Sequence, residues 1–224
     1  MDFNAFFYKI SIYAIPALLA ITLHEVAHGW MARYFGDRTA ELLGRLSLNP
    51  FRHIDPIGTV LVPGLMLAIS VPLFGWARPV PVATSVLRNP RRASVVVALA
   101  GPLANIFMAL AWCTVLGVVL RVNGGVMFSS ATLRSWIASM AQAGILVNAV
   151  LVIFNLLPIP PLDGGRVLTS VLPPRLSAGL AKIEPVGILI VVGLSALHLF
   201  SWLFDPAYRV IGHIINALWV GPSA

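Results

Sequence analysis

Long apolar runs separated by short polar segments dominate this 224-residue sequence. A helix needs about 20 residues to cross the roughly 30 Å hydrocarbon core of a bilayer. Four runs are long enough, at residues 5–32, 94–120, 134–157 and 183–204. The first is expected to be a retained helix within residues 1–35, because no basic cluster precedes it as in a cleavable signal peptide. The pattern predicts an all-α polytopic membrane protein forming one domain, residues 1–224.

Two further apolar segments are less regular. Residues 57–76 are interrupted by Pro63 and Pro72 and are too few for two complete spans. Residues 207–220 are short and carry Arg209, so they either lie at the membrane interface or cross as a short span. With these segments, we expect a bundle of about five to six transmembrane or re-entrant helices.

A small β element is expected after the first helix. Residues 44–49 alternate apolar and polar side chains and stop before Pro50, as a short strand would. Residues 75–82 contain several prolines, which suits an edge strand or a capping loop.

The composition agrees with a membrane protein. The chain is 58% hydrophobic and only 10% charged, whereas soluble domains contain about 25% charged residues. The net charge of +7 is carried by short loops between apolar runs, which indicates membrane orientation and gives no reason to expect a nucleic-acid partner. The single cysteine, Cys113, lies within an apolar run, so an internal disulfide and a cysteine zinc cluster are excluded.

The basic residues predict which side of the membrane each loop faces. Eleven of the 15 lie in three loops: Arg33, Arg38, Arg45, Arg52, Arg78, Arg88, Arg91, Arg92, Arg166, Arg175 and Lys182. The positive-inside rule makes these loops cytoplasmic. The chain must then cross an even number of times between the first two long helices, so residues 57–76 are either re-entrant or a helical pair that reaches partway.

Residues His24-Glu25-Val26-Ala27-His28 form a metal-binding pattern at the end of the first apolar run. Histidines at i and i+4 lie on one face of a helix, so both rings can reach one ion. A glutamate beside them can act as the general base of a metalloprotease. Ionisable side chains are costly at membrane depth, and this cluster therefore indicates a functional site.

A catalytic zinc needs a third protein ligand and an open position. His53, His198 and His213 are candidates, as is a carboxylate. Among the acidic residues outside termini and exposed loops, Asp163 remains besides Glu25, and it follows a proline-rich segment at the end of the 134–157 run. Irregular backbone at this depth must be buried in protein or line a wet cavity. A helix-ending turn would also explain Asp163, but its depth matches that of His28, which favours the ligand interpretation.

These segments resemble the site-2 protease family of intramembrane zinc metalloproteases, peptidase family M50, in its small form without PDZ or CBS domains. The resemblance covers most of the chain and is carried by residues 24–28, 49–58, 75–81, 100–105 and 155–165. It implies one Zn²⁺ per chain held by His24, His28 and Asp163, with Glu25 as the catalytic base. It also implies a core built from the first, the 94–120 and the 134–157 helices.

The resemblance implies hydrolysis of peptide bonds in or near transmembrane segments, in regulated intramembrane proteolysis. The expected partners are membrane-protein substrates and the lipid bilayer. We expect a multi-pass protein of a prokaryotic cell membrane with its active site toward the cytoplasm. The sequence carries no signal for the oligomeric state. Two alternatives remain, a divalent-metal transporter using the same ligands and a non-catalytic binder of membrane proteins. The scarcity of further polar residues in the spans disfavours a transporter. The intact Glu25 disfavours a non-catalytic binder.

Several residues are candidates for substrate binding. An unwound substrate would pair with the segment containing Leu46, Ser47 and Leu48 by strand addition. Asn155 is expected to bind substrate backbone or the developing oxyanion, although a hydrogen bond between helices explains it equally well. Asn105 would support the zinc ligands or join two helices, and His53 would act as a gate or extra ligand.

Overall fold

Helices make up most of the protein. The computed structural model describes residues 3–61, 78–121, 130–196 and 209. Within these ranges the α-helices are α1 (Phe3–Tyr34), α2 (Thr39–Leu42), α3 (Pro90–Arg121), α4 (Ala131–Asn155), α5 (Asp163–Val171), α6 (Pro174–Ala181) and α7 (Glu184–Ala196). Short 3₁₀ turns occupy Pro50–Arg52 and Thr84–Val86, and a π-helical turn occupies Pro56–Leu61.

Three of the helices are long and apolar enough to cross a membrane: Phe7–Tyr34 within α1, and the whole of α3 and α4. They confirm three of the four predicted long spans. The described part of the fourth is α7, with 13 residues. Residues 62–77 and 210–224 lie outside the described ranges, as do residues 197–208, so the predicted total of five to six helices is not confirmed.

Local sequence sets where these helices begin and end. Pro90 occupies the first turn of α3, where its missing N–H is not needed. The Ser130 side chain caps α4 by accepting a hydrogen bond from Leu133 N–H at 3.3 Å. Helix α4 ends at Asn155, before a segment with three prolines that cannot continue a helix.

The three long helices pack against one another, and α3 runs antiparallel to both α1 and α4. The C-terminal part of α1 meets the N-terminal part of α3 through buried Ala32 and Val97. Farther along α3, Leu116 packs against Ile145 of α4 in a second apolar cluster. Small residues permit close approach, and a methyl group at Gly144 would lie only 2.4 Å from the Trp112 ring.

The predicted β element is wrong for the described residues, which contain no strand. Residues 45–49 have no regular secondary structure. Side chains tie this segment into a local loop: Arg52 Nη1 donates to Gly44 O at 2.8 Å, and His53 Nε2 donates to Ser47 O at 2.8 Å. A strand needs a partner ladder, and alternation of side chains predicts the backbone shape without supplying that partner.

Helix α5 is short and returns the chain to α3. Its first residues lie against the turn that precedes them, because a Cβ atom at Gly164 would come within 2.3 Å of Leu156 O and one at Gly165 within 2.3 Å of Pro160 N. Two consecutive glycines are therefore required here, and they fix Asp163 at the start of α5, where it is buried.

Candidate metal centre

Three buried side chains meet between α1 and α5. His24 and His28 lie one helical turn apart on α1, and their Nε2 atoms are 3.0 Å apart. Asp163 Oδ2 lies 3.2 Å from His24 Nε2 and 3.3 Å from His28 Nε2. The three residues are 5–7% exposed. The structure thus brings together the three residues that the sequence singled out as ligands.

The geometry of the donor atoms fits a zinc ion. Zinc is bound at about 2.0–2.1 Å by imidazole nitrogen and carboxylate oxygen, and a tetrahedron of that size separates its ligands by roughly 3.3–3.4 Å. The three observed separations, 3.0, 3.2 and 3.3 Å, are close to this value. Asp163 Oδ2 is also buried and lacks a hydrogen-bond donor among the described residues. A cation would satisfy it.

The other ring nitrogens set the orientation of both histidines. His24 Nδ1–H donates to Asn105 Oδ1 at 2.6 Å, and His28 Nδ1–H donates to Val97 O at 2.7 Å. With Nδ1 protonated, each Nε2 presents its lone pair to the space shared with Asp163. Both acceptors belong to α3, so this helix holds the two candidate ligands of α1 in a form that can bind metal.

Two buried asparagine side chains, Asn105 and Asn148, form a hydrogen-bonded pair next to His24. Asn105 Nδ2 donates to Asn148 Oδ1 at 2.9 Å and to Ala20 O at 3.2 Å, which leaves Asn105 Oδ1 as the acceptor for His24. Asn148 in turn donates to Gly144 O within α4. Both asparagines are fully buried. This chain of hydrogen bonds links all three long helices at the depth of the candidate site.

Gly101 of α3 leaves room for the two rings. A Cβ atom at this position would lie 2.4 Å from His28 Nε2 and 2.6 Å from His24 Cε1. The missing side chain therefore allows α3 to approach the histidines. Its neighbour Pro102 has no N–H, so the carbonyl of Ala98 loses its usual helical donor.

Glu25 accepts a hydrogen bond from the segment that begins at residue 78. Val80 N–H donates to Glu25 Oε2 at 2.8 Å. Pro79 and Pro81 flank Val80 and carry no N–H, so the Glu25 carboxylate receives the one backbone donor of this tripeptide. The side chain of Val80 packs near Gly29, which keeps the segment against α1.

Asp37 anchors the same segment just beyond the end of α1. Its carboxylate accepts from Thr39 N–H at 2.9 Å and from Ala83 N–H at 2.6 Å, and also from the Thr39 hydroxyl. Burial by itself would raise the pKa of Asp37, but these hydrogen bonds outweigh burial and lower it below its usual value. Asp37 thereby holds residues 80–83 across the C-terminal part of α1.

The remaining predicted residues lie farther from the ligand cluster. His53 is buried and is not one of the three clustered ligands; its Nδ1 has no partner among the described residues. Asn155 donates to Leu151 O within its own helix at 2.9 Å. In the 45–49 segment, Leu46 packs at Gly29 and Leu48 is exposed. Substrate binding by residues 46–48 and by Asn155 stays a prediction. His198 and His213 are outside the described residues.

Comparison with known proteins decides the family. The profile of "Peptidase family M50" matches residues 12–195. The chain belongs to this family of site-2 proteases. A related M50 protein, "Putative zinc metalloprotease YwhC" of Bacillus subtilis, is 38% identical over 192 residues, covering 86% of this chain and 83% of the relative. "Putative zinc metalloprotease Rip2" is 33% identical in Mycolicibacterium smegmatis and 32% identical in Mycobacterium tuberculosis, with 85% of this chain and 69% of each relative covered.

The M50 family makes this chain a membrane zinc metalloprotease, in agreement with its three apolar helices and its candidate zinc site. No solved structure shows a significant match to it.

Sequence reasoning on this M50 chain missed three contributors to the site. Gly101 was visible only as part of a family segment, because nothing in the sequence shows that a helix approaches the histidines there. Asn148 carried a usable signal as an amide within an apolar run, comparable with Asn105. The contact between Val80 and Glu25 joins residues far apart in the sequence and had no signal beyond the two flanking prolines.

Proposed function

We propose that this protein is an intramembrane endopeptidase of the site-2 type, which hydrolyses peptide bonds in or near the transmembrane segments of other membrane proteins. One observation carries the proposal: His24, His28 and Asp163 converge, with Glu25 on the same helix, between helices of membrane length. A metalloprotease site at that position would act on segments within the bilayer.

In this proposal each residue has a defined chemical role. His24, His28 and Asp163 hold zinc, which when bound polarises the scissile carbonyl and activates water. Glu25 takes the proton from the attacking water and passes it to the leaving amine. Asn105 and Val97 keep the histidines in their ligand form. Zinc binding requires both imidazoles to be neutral.

The depth of the site in the membrane determines whether a substrate must unwind, and the neighbouring loops indicate which side of the membrane the site faces. His28 lies six residues before the end of α1, or about 9 Å at 1.5 Å per residue. A helical substrate reaching this depth must unwind before its hydrogen-bonded peptide groups can be attacked. The basic loops next to the site support a cytoplasmic position for it, in a prokaryotic cell membrane. The substrates are then membrane proteins, cleaved in regulated intramembrane proteolysis.

The test uses purified protein in liposomes and compares the wild type with Glu25→Gln. An amide cannot accept the proton, so the variant should keep one zinc per chain and lose cleavage of a fluorescent single-span peptide. Equal cleavage by both proteins would remove Glu25 from the proposed role. Zinc flux into the liposomes without cleavage would favour a transporter instead.

A further inference from the structure

A cavity of about 420 Å³ lies beside the candidate zinc site. Its walls come from the segment at 79–84, the N-terminal part of α3, helix α5 and the start of α7. The volume falls within the range of roughly 300–1,000 Å³ that is typical of ligand sites. The zinc ligands are not among its lining residues, so it is a separate space adjoining the metal centre.

Three walls of this cavity are each connected to a different site residue. Val80 lines it and donates its N–H to Glu25. Val97 lines it and accepts from His28 through its carbonyl group. Arg166 lines it from α5, less than one helical turn after Asp163. The cavity therefore adjoins Glu25, His28 and Asp163 through three of its walls.

The lining offers both polar and charged groups to an extended peptide. Arg166 and Glu184 lie in different walls and make no ion pair with each other or with other described residues. Thr169 and Ser170 add hydroxyl groups, which donate to Arg166 O within α5 and whose oxygens can still accept a hydrogen bond. Ala98 also lines the cavity, and its carbonyl group has no helical N–H donor because residue 102 is a proline. A purely apolar helix could not bond to the Arg166 and Glu184 side chains or to the Ala98 carbonyl, whereas an extended polar segment can.

We propose that this cavity binds the polar flank of the substrate next to the scissile bond, and that Arg166 selects an acidic side chain there while Glu184 favours a basic one. The inference rests on the proposed function, since it names the substrate feature read by the same site. Because Arg166 follows Asp163 within one turn, the acidic residue should lie close to the cleaved bond.

Occupancy of the cavity can be measured without cleavage. The background is Glu25→Gln with Cys113→Ala, which removes the native thiol. Thr169→Cys is placed in the cavity, and Ala178→Cys on exposed α6 serves as the control. The probe is a synthetic peptide with a Leu/Ala-rich span and one cysteine in its polar flank. With copper phenanthroline added as the thiol oxidant, we expect disulfide cross-linking at position 169 to be at least tenfold faster than at position 178. Equal rates would overturn the proposal.

Selectivity is measured with the active enzyme and two peptides that carry Asp or Lys at the same flank position. Arg166→Glu should reverse the preference for Asp, and Arg166→Gln should abolish it, each by roughly three- to tenfold, as expected for one or two exposed ion pairs. Arg175→Glu, an equally exposed change on α6 outside the cavity, should have no effect. Zinc content shows that each variant is folded.

The two proposals fail in different ways. Absence of Glu25-dependent cleavage for every peptide would refute the proposed function, and the cross-linking rates would still decide whether the cavity holds the flank. Normal cleavage with the same Asp/Lys preference in the wild type and Arg166→Glu would refute selection by Arg166 while leaving the protease assignment intact.

Discussion

Replacing Asn105 by alanine should weaken zinc binding without removing a ligand. The side chain is fully buried and accepts the His24 Nδ1–H at 2.6 Å. Its loss leaves that N–H and Asn148 Oδ1 without their partners, and a buried unsatisfied group costs about 1–3 kcal/mol. Loss of such an outer partner typically lowers metal affinity 10–100-fold, or about 1.4–2.7 kcal/mol. The cost of one unsatisfied buried group and the free energy of the expected loss in zinc affinity are therefore similar in size.

Competition with a chromophoric zinc chelator in detergent measures this loss of affinity. Asn148→Ala is the matched control, because it removes one buried amide from the same chain of hydrogen bonds but leaves Asn105 Oδ1 on His24. We expect at least a tenfold weaker zinc affinity for Asn105→Ala and less than threefold for the control. Equal losses in the two variants, or an unchanged affinity in Asn105→Ala, would refute the idea that Asn105 acts through the tautomer of His24.

Three further predictions test other parts of the molecule. Gly101→Ala should lose most of its zinc, measured by metal analysis, because a Cβ atom lies 2.4 Å from a ligand nitrogen, whereas Gly179→Ala, with open space around it, should keep its zinc. The pKa of Asp37 is lowered in the folded state, so the ionised carboxylate stabilises the protein above about pH 4, and this stabilisation is lost as the pH falls. The difference in thermal unfolding temperature between the wild type and Asp37→Asn should therefore shrink between about pH 7 and pH 3. Cysteines introduced in residues 35–55 and 158–182 should react with a membrane-impermeant reagent only from the cytoplasmic side, and reaction from the other side would reverse the proposed orientation.

Helix positions were predictable because each depends on a continuous stretch of residues. The predicted run at 94–120 corresponds to Pro90–Arg121, and the run at 134–157 to Ala131–Asn155. The clustering of the three candidate ligands was predictable because His24 and His28 have helical spacing and Asp163 stands beside a helix-breaking segment. The strand at 44–49 failed since local hydrogen bonds to arginine and histidine side chains replaced a ladder.

Contacts between distant segments were beyond sequence reasoning. The approach of α3 at Gly101 depends on how two helices cross, and no property of the glycine itself encodes that crossing. The hydrogen bond from Val80 to Glu25 depends equally on the path of the chain between them.

The proposed ligands are distributed so that the chain cannot complete its site early in synthesis. His24 and His28 belong to the first helix, and Asp163 follows two further membrane helices. At about 5–20 residues per second, a ribosome adds the third ligand on the order of ten seconds after the second. A partly made chain therefore holds two imidazoles and a glutamate but cannot assemble the three-ligand site. The order of the helices thus means that the three-residue cluster can form only after Asp163 has been synthesised, when the three long helices are already present.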